Sequence, residues 1–424
     1  MDPKTICLLN DSFPPLIDGV ANAVKNYAEQ ILAEGSRAMV ITPAHPDAAD
    51  SAYPYPVVRY PSINFRMMNG YMAGVPFSPE VARRVSEERV ALIHSHCPII
   101  SNLMARELRQ IVDAPLVMTY HTKFDVDIEN IIKNKQLQNA AKYALVSNVE
   151  ACDEVWAVSR GAGENLRSLG YQGDYIVMPN GVDIPRMRCS QQEIEAATAG
   201  YDLPAGLPVY LFVGRMMWYK GLRIILDALT GLARKADFRM VFIGGGGDYD
   251  EVKAYAELNG IADKCIFTGA IHNRDVLRAW YCRADLFLFP STYDTNGLVV
   301  REAAACDLAA VLIKDSCAAE DVTDGRNGFL IEETPEALYS CLSGLLDQRE
   351  YVHTVGRHAG EELYISWQTA VKLAMERYEI VIDRYRRGEY PEHSHPVEWG
   401  MKINGALMDT FARLSRLRHW DDFQ

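Results

Sequence analysis

In the first 190 residues, short apolar runs alternate with longer stretches in which apolar side chains return every three or four positions. The runs are 5–10, Ala38–Thr42, Val90–Ile93, Leu116–Tyr120, Glu154–Val158 and Tyr175–Met178. Between the first two, Val20, Val24, Tyr27, Ile31 and Leu32 fall on one side of a helix predicted over Val20–Leu32, and Gly35 stops it. Short apolar runs separated by amphipathic helices predict a mostly parallel sheet covered on both faces. A polar stretch, Cys189–Gly206, interrupts the pattern. It then restarts with Val209–Val213, Phe238–Ile243, Cys265–Thr268, Leu286–Phe289 and Ala309–Ile313.

The chain therefore reads as two α/β domains, 1–195 and 205–370, with the boundary between 185 and 207. A long helical pattern runs from Trp367 to Arg387, and its 371–388 part is expected to return to the first domain as a terminal helix. Residues 389–424 remain as a tether and an amphipathic tail. Two such domains side by side enclose a deep cleft, and ligands of open α/β sheets bind at the carboxyl ends of the strands.

Length agrees with two domains, since 424 residues exceed one ordinary hydrophobic core. The net charge of -13 argues against nucleic acid as a partner, because duplex binding rests on neutralising phosphates. A local basic cleft for a small anion is still compatible with it. No apolar stretch reaches the 18 or so residues of a membrane span, and the start, Met1 to Thr5, lacks a secretory signal's basic region and long apolar core. Nine scattered cysteines without a CxxC pair fit a reduced, cytoplasmic setting.

Candidate chemistry sits where strands end. After Val209–Val213 comes Gly214-Arg215-Met216-Met217-Trp218-Tyr219-Lys220-Gly221, with a helix opening at Leu222. Two cations near a helix N-terminus suit a diphosphate, Arg215 as a fork and Lys220 as a point charge. Taken alone, they also read as solvated surface charges. After Leu286–Phe289 come Ser291, Asp294, Thr295, Asn296, Gly297 and Leu298, with Glu302 expected about two turns into the following helix. Backbone amides in this turn suit phosphate or sugar oxygens, and a carboxylate can accept two vicinal hydroxyl protons. In the first half, Gly19 permits close approach of a ligand, or simply makes a tight turn. His121 ends an apolar strand and is a candidate polar functional group, with a structural histidine as its plain alternative. His94 and His96 have no Asp, Glu or Cys pattern to complete a metal site, so no metal is expected. Gly244–Gly247 would bring backbone close to a bound group.

In order, Phe13-Pro14-Pro15 with Gly19, His94-Ser95-His96, Tyr120-His121-Thr122, Ser159, Pro179-Asn180-Gly181-Val182-Asp183, Gly214-Arg215 with Lys220-Gly221, Gly244–Gly247, Phe267-Thr268-Gly269, Pro290-Ser291 and Gly297 through Glu302-Ala303 resemble the retaining glycosyltransferases of family 4. The resemblance implies a GT-B fold: two Rossmann-like domains facing across a cleft, the first on the acceptor side and the second binding the nucleotide sugar. It implies Arg215 and Lys220 as the donor diphosphate clamp and Glu302 as the ribose carboxylate. The Asp294–Leu298 loop would hold donor sugar and phosphate, with Gly19 approaching the diphosphate and His121 beside the transferred sugar. The implied mechanism retains the anomeric configuration without a covalent protein intermediate, the leaving diphosphate assisting deprotonation of the acceptor. The nucleotide sugar is a substrate, and neither cofactor nor metal is implied.

Two departures matter. Asp294 stands where the family usually has Glu, and Asp307 and Ala309 replace a common Gly and Pro, so another turn geometry is expected after Glu302. The stretch Thr119–Phe124 is similar to bacterial enzymes that glucosylate diacylglycerol, so the expected donor is a UDP-glucose-like sugar. The acceptor is either a lipid, with the enzyme peripheral on the cytoplasmic face of the membrane, or a soluble carbohydrate. Residues 401–420 form an apolar stripe beside Lys402, Arg413, Arg416 and Arg418, which suits either an anionic bilayer or packing on protein. A nucleotide-sugar epimerase, a sugar phosphorylase and an inactive nucleotide-binding interaction protein are the rival classes. The Arg215/Lys220 spacing with Asp294 and Glu302 favours transfer over them.

Overall fold

The structure, a computed structural model, describes residues 4–16, 18–64 and 72–391. The tail predicted over 401–420 lies outside the described residues. The chain divides into two compact units. One runs to Pro179 and resumes at Trp367; the other is Asn180–Ser366.

The first unit contains β1 (Thr5–Leu9), β2 (Arg37–Pro43), β3 (Val57–Tyr60), the short antiparallel pair β4 (Ser62–Asn64) and β5 (Met72–Gly74), β6 (Val90–Ser95), β7 (Leu116–Tyr120), β8 (Glu154–Ala157) and β9 (Ile176–Val177). Seven of these form one parallel sheet in the order β3-β2-β1-β6-β7-β8-β9. Every residue of β1 and β7 is buried, as strands covered by helices on both faces must be. The helix expected over Val20–Leu32 spans Gly19–Ala33, and Gly35 follows it at φ 81°. The edge strand β3 was not expected. It is short, flanked by Pro56 and Pro61, and carries Arg59, whose guanidinium bonds Asp50 and the carbonyls of Pro14 and Pro43.

The second unit contains β10 (Val209–Val213), β11 (Arg239–Ile243), β12 (Cys265–Gly269), β13 (Leu286–Phe289), β14 (Ala310–Ile313) and β15 (Phe329–Ile331). They form a parallel sheet in the order β12-β11-β10-β13-β14-β15. Both sheets are doubly wound: the order reverses between β1 and β6 in one and between β10 and β13 in the other. A crevice opens at the carboxyl ends of such a pair of strands.

The division at Pro179 precedes the polar stretch in which it was expected. Residues 180–206 dock on the second unit instead of linking freely. Ile184 and Ile194 enter its core, and Arg188 donates to the carbonyls of Cys306 and Cys282, each at 2.7 Å. The return also comes early: the helix Trp367–Arg386 belongs to the first unit from its first residue. It packs on Gly19–Ala33, Arg377 grips the buried Glu154 through Nε at 2.8 Å, and Tyr378 stacks on Trp156.

The Tyr378 hydroxyl lies 2.6 Å from His94 Nδ1, and Thr119 Oγ1 lies 2.7 Å from His94 Nε2. Burial keeps His94 neutral, so each ring nitrogen needs the partner it has. Tyr378→Phe would leave one nitrogen unsatisfied and should destabilise the protein by about 1–3 kcal/mol. An unchanged urea midpoint would show that the contact adds nothing.

Candidate functional site

In the second unit, β10 runs into the Gly214–Gly221 loop and β13 into Pro290–Gly297, so both loops leave the crevice strands. They touch at Gly221. Its φ is 76°, and a Cβ there would lie 2.0 Å from the Pro290 carbonyl oxygen. The next residue back, Lys220, is only 7% exposed, and its Nζ donates to Asp294 Oδ1 at 2.6 Å. Asp294 Oδ2 accepts from Ser291 Oγ at 2.6 Å. The rings of Tyr219 and Tyr293 flank the ammonium, their centroids 5.7 and 5.5 Å from Nζ. Arg215, by contrast, is exposed and has no side-chain partner among the described residues.

The Gly244–Gly247 run was expected to meet a ligand. Two of its glycines instead meet the Arg215 loop. A Cβ at Gly244 would sit 1.9 Å from Gly214 O, and one at Gly246 2.4 Å from Met216 O. Hydrogen bonds from Met216 N to Gly245 O, from Asp248 N to Met216 O and from Trp218 N to Asp248 Oδ2 complete the brace. The glycine run therefore holds the cationic loop in place.

Thr295 is partly buried, and Asn296 and Gly297 are buried at the head of the helix Leu298–Ala305. Gly297 takes φ 56°, which delays the helix start, so Glu302 lies little more than one turn in and not the two expected. The cap residue, a glycine, has no side chain to bond the first amides. Both amide atoms of the buried Asn296 side chain lack a partner among the described residues.

Glu302 is 8% exposed and doubly held: Arg274 NH2 donates to Oε1 at 2.6 Å, and the buried Tyr281 hydroxyl donates to Oε2 at 2.9 Å. Burial, then the Glu302 charge, pushes the Tyr281 phenol well up, so it stays a donor. Arg274 and Tyr281 escaped the sequence reading. They lie seven apart on the helix Arg274–Arg283, two turns along one face, and that spacing was the available signal. The turn after Glu302 also differs from expectation. Asp307 itself takes φ 54°, the left-handed conformation that glycine favours, so no other geometry is needed.

Gly19 and His121 belong to the first unit. Gly19 is exposed at the start of its helix, with nothing within 4 Å of a Cβ built on it, and Asp18 caps the amides of Val20 and Ala21 at 2.8 and 2.7 Å. His121, at the end of β7, places Nε2 3.0 Å from His96 Nδ1, while His94 is committed to Tyr378 and Thr119. Burial pulls His121 down to about 3 and His96 well below its ordinary value, so the pair is neutral. Among the described residues, no group of three or more His, Cys, Asp or Glu is placed to hold a metal ion. No helix among them is long and apolar enough to cross a membrane.

Comparison with known proteins identifies the family of the two units. The model described as Glycosyltransferase Family 4 matches residues 17–186, and that described as Glycosyl transferases group 1 matches 207–348. A GDP-mannose-dependent alpha-mannosyltransferase of Corynebacterium glutamicum is 26% identical over 361 residues, 82% of either chain. The alpha-monoglucosyldiacylglycerol synthase of Streptococcus pneumoniae is 21% identical over 305 residues, 71% of this chain and 69% of its own. The crystal structure of Anabaena Alr3699/HepE in complex with UDP superposes with a TM-score of 0.72 at 20% identity, covering 89% of this chain and 100% of that one. Two tandem Rossmann-like units matched by these two models define an enzyme that transfers glycosyl groups from nucleotide sugars. The chain belongs to glycosyltransferase family 4, with the GT-B fold, and is related to the diacylglycerol glucosyltransferases.

Burial of His94, His96 and His121 in the neutral form has a consequence for stability. Their folded pKa values lie below the unfolded one near 6.5, so below that pH the unfolded chain binds more protons. Stability should be fully present above about pH 6.5 and fall as pH drops toward about 3, each histidine contributing up to about 1.4 kcal/mol per pH unit. Urea midpoints measured from pH 7.5 to 5 check this. His121→Asn should flatten the slope; an unaltered slope would remove His121 from the account.

Proposed function

We propose that this glycosyltransferase moves a hexose, with retention of configuration, from a UDP-glucose-like donor to a lipid hydroxyl such as that of diacylglycerol. The observation that carries the donor half is the meeting of Lys220 with Asp294, which brings the cationic loop after β10 and the acidic loop after β13 to one point of the crevice. Exposed Arg215 offers a guanidinium fork to the diphosphate, and Lys220 offers its remaining N–H groups. Thr295, Asn296, Gly297 and Leu298 receive phosphate and sugar oxygens at the open helix end. Glu302, oriented by Arg274 and Tyr281, accepts the ribose hydroxyls, and Asp294 faces the hexose. In this reading Gly19 approaches the diphosphate from the first unit, and neutral His121 acts beside the transferred sugar. No protein nucleophile is required: the leaving diphosphate takes the acceptor proton. No metal enters this scheme.

The lipid acceptor is supported by the relation to the diacylglycerol glucosyltransferases and by the helix Lys135–Glu150. That helix exposes Leu137 and Tyr143, while its Lys142 pairs with Glu129 at 2.8 Å. Exposed apolar side chains of this kind can meet lipid. A soluble carbohydrate acceptor is the second reading, favoured by the net charge of -13, which opposes an anionic surface overall. The tail at 401–420 belongs to the same question, and sedimentation of the full chain with anionic vesicles tests it. The deciding assay offers UDP-glucose and GDP-mannose with diacylglycerol vesicles or with soluble sugars, and follows nucleoside diphosphate release and the anomer formed. Product on soluble sugars alone would overturn the lipid acceptor, and an inverted anomer would overturn retention.

Within this reading, Arg215→Ala should weaken UDP by roughly ten- to a hundredfold, the worth of one charge-assisted contact. The residue is exposed and unpaired among the described residues, so the fold should survive. Glu302→Gln should weaken UDP as well as UDP-glucose, whereas Asp294→Asn should weaken UDP-glucose selectively. Calorimetry with both ligands checks this, and equal effects on UDP would end the division of roles. His121→Ala should lower turnover more than donor affinity; an affinity loss equal to the rate loss would contradict its placement.

A further inference from the structure

Three of the nine cysteines, none of them given a part in the proposed glycosyl transfer, meet in the second unit. Cys189 lies in the segment that enters this unit, just ahead of the helix Gln191–Ala197. Cys282 is in the last turn of Arg274–Arg283, one residue beyond Tyr281. Cys306 caps the end of Leu298–Ala305. Cys282 is the hub: its sulfur accepts the Cys189 backbone N–H at 3.2 Å, and beside it the Cys306 thiol donates to the Arg278 carbonyl at 3.9 Å. Arg278 Nε donates to the Cys189 sulfur at 3.2 Å, and Arg188 binds the carbonyls of Cys282 and Cys306.

The arrangement separates the three sulfurs. The neighbouring Cys306 thiol, then the Cys189 amide and the Arg188 charge, pull Cys282 below an ordinary thiol despite its burial. Burial and the neighbouring Cys282 push Cys189 up, and Cys306 rises beside Cys282 and through burial. Cys282 and Cys306 are buried, whereas Cys189 is half-buried and opens the cluster toward solvent. Cys306 is locked into a helix end. Cys189 sits outside any helix or strand, so its backbone can supply the approach that an S–S bond of about 2.05 Å requires.

We propose that Cys189 and Cys282 are a redox-active dithiol that hydrogen peroxide converts to a disulfide. The Cys282 thiolate attacks the peroxide oxygen, the O–O bond breaks, and hydroxide leaves, giving a sulfenic acid at Cys282. The Cys189 sulfur then attacks Cys282. The S–O bond breaks as the S–S bond forms, and the Cys189 proton leaves with the hydroxide as water. Two electrons pass from the two sulfurs to the peroxide. The product staples the entry segment to the helix that carries Arg274 and Tyr281.

The test uses the full-length protein and hydrogen peroxide, with free thiols then trapped by iodoacetamide and the digest mapped by mass spectrometry. The expected result is a Cys189–Cys282 linked peptide and the loss of two of the nine thiols, both reversed by dithiothreitol. Amide exchange across 184–206 should slow in the oxidised protein. In Cys189→Ser the link should be absent, and dimedone should label Cys282. Retention of all thiols, a Cys282–Cys306 link, or no dimedone label on Cys282 in that variant would overturn the assignment. None of these readouts depends on glycosyl transfer, so the result stands apart from the proposed activity.

Discussion

Lys220 is buried as a cation, and a buried ammonium persists only with a partner within hydrogen-bond reach. Asp294 is that partner, and much of the second unit's crevice exists to let the two meet. The loops carrying them approach so closely at Gly221 that any side chain would strike the Pro290 carbonyl. Behind the first loop, Gly244 and Gly246 admit the backbone of Gly214 and Met216. Ser291 occupies the carboxylate oxygen that Lys220 leaves. Glycines that sequence reasoning assigns to ligand approach are thus used first for backbone meeting backbone, and the ligand surface is what that packing leaves exposed.

Much of this was legible in the chain. Parallel strands covered on both faces must be apolar throughout, so β1, β7 and β10 announce themselves as unbroken runs. The turns at their ends collect the residues able to do chemistry, and Arg215, Lys220, Asp294 and Glu302 were identifiable by type and position. What stayed hidden is tertiary. Arg274 and Tyr281 reach Glu302 across 28 and 21 residues, from a helix whose sequence reads as ordinary amphipathic surface. Polar 189–206 resembles a linker because composition records exposure of side chains, not Ile194 entering the core or the Arg188 fork and Ile184 that dock the segment just ahead of it. Edge strand β3 is short and bounded by prolines, so its pairing with β2 has no local signature.

The Asp307 turn shows how a family substitution is absorbed. A left-handed backbone costs an ordinary residue about 1–2 kcal/mol, less for Asp, whose short polar side chain can bond locally. The cost is met by close packing. Gly356 and Gly360 bring the helix Arg349–Glu362 against this turn, where Cβ atoms would lie 2.1 Å from Asp307 O and 2.3 Å from Asp307 Oδ1. The conformation needed to turn the chain from Glu302 toward β14 is kept, and its glycines have moved to the facing helix.

Asp294 in place of Glu poses a sharper question, since pairing Lys220 inside the protein looks opposed to pairing it with a diphosphate. Counting donors resolves this. An ammonium has three N–H groups, and Asp294 takes one of them among the described residues. The tyrosine rings on either side lie more than 5 Å from Nζ and act through their faces, consuming no N–H bond. Two donors therefore remain which, in the proposed function, meet phosphate oxygens, on an ammonium aimed by a carboxylate that Ser291 also bonds. A shorter side chain at 294 keeps its carboxylate beside Lys220 and leaves the methylene's worth of space to the sugar or a water. In the proposed function the ion pair is then part of the binding surface: it preorganises the cation, and arrival of a second anion completes its coordination without breaking the first contact.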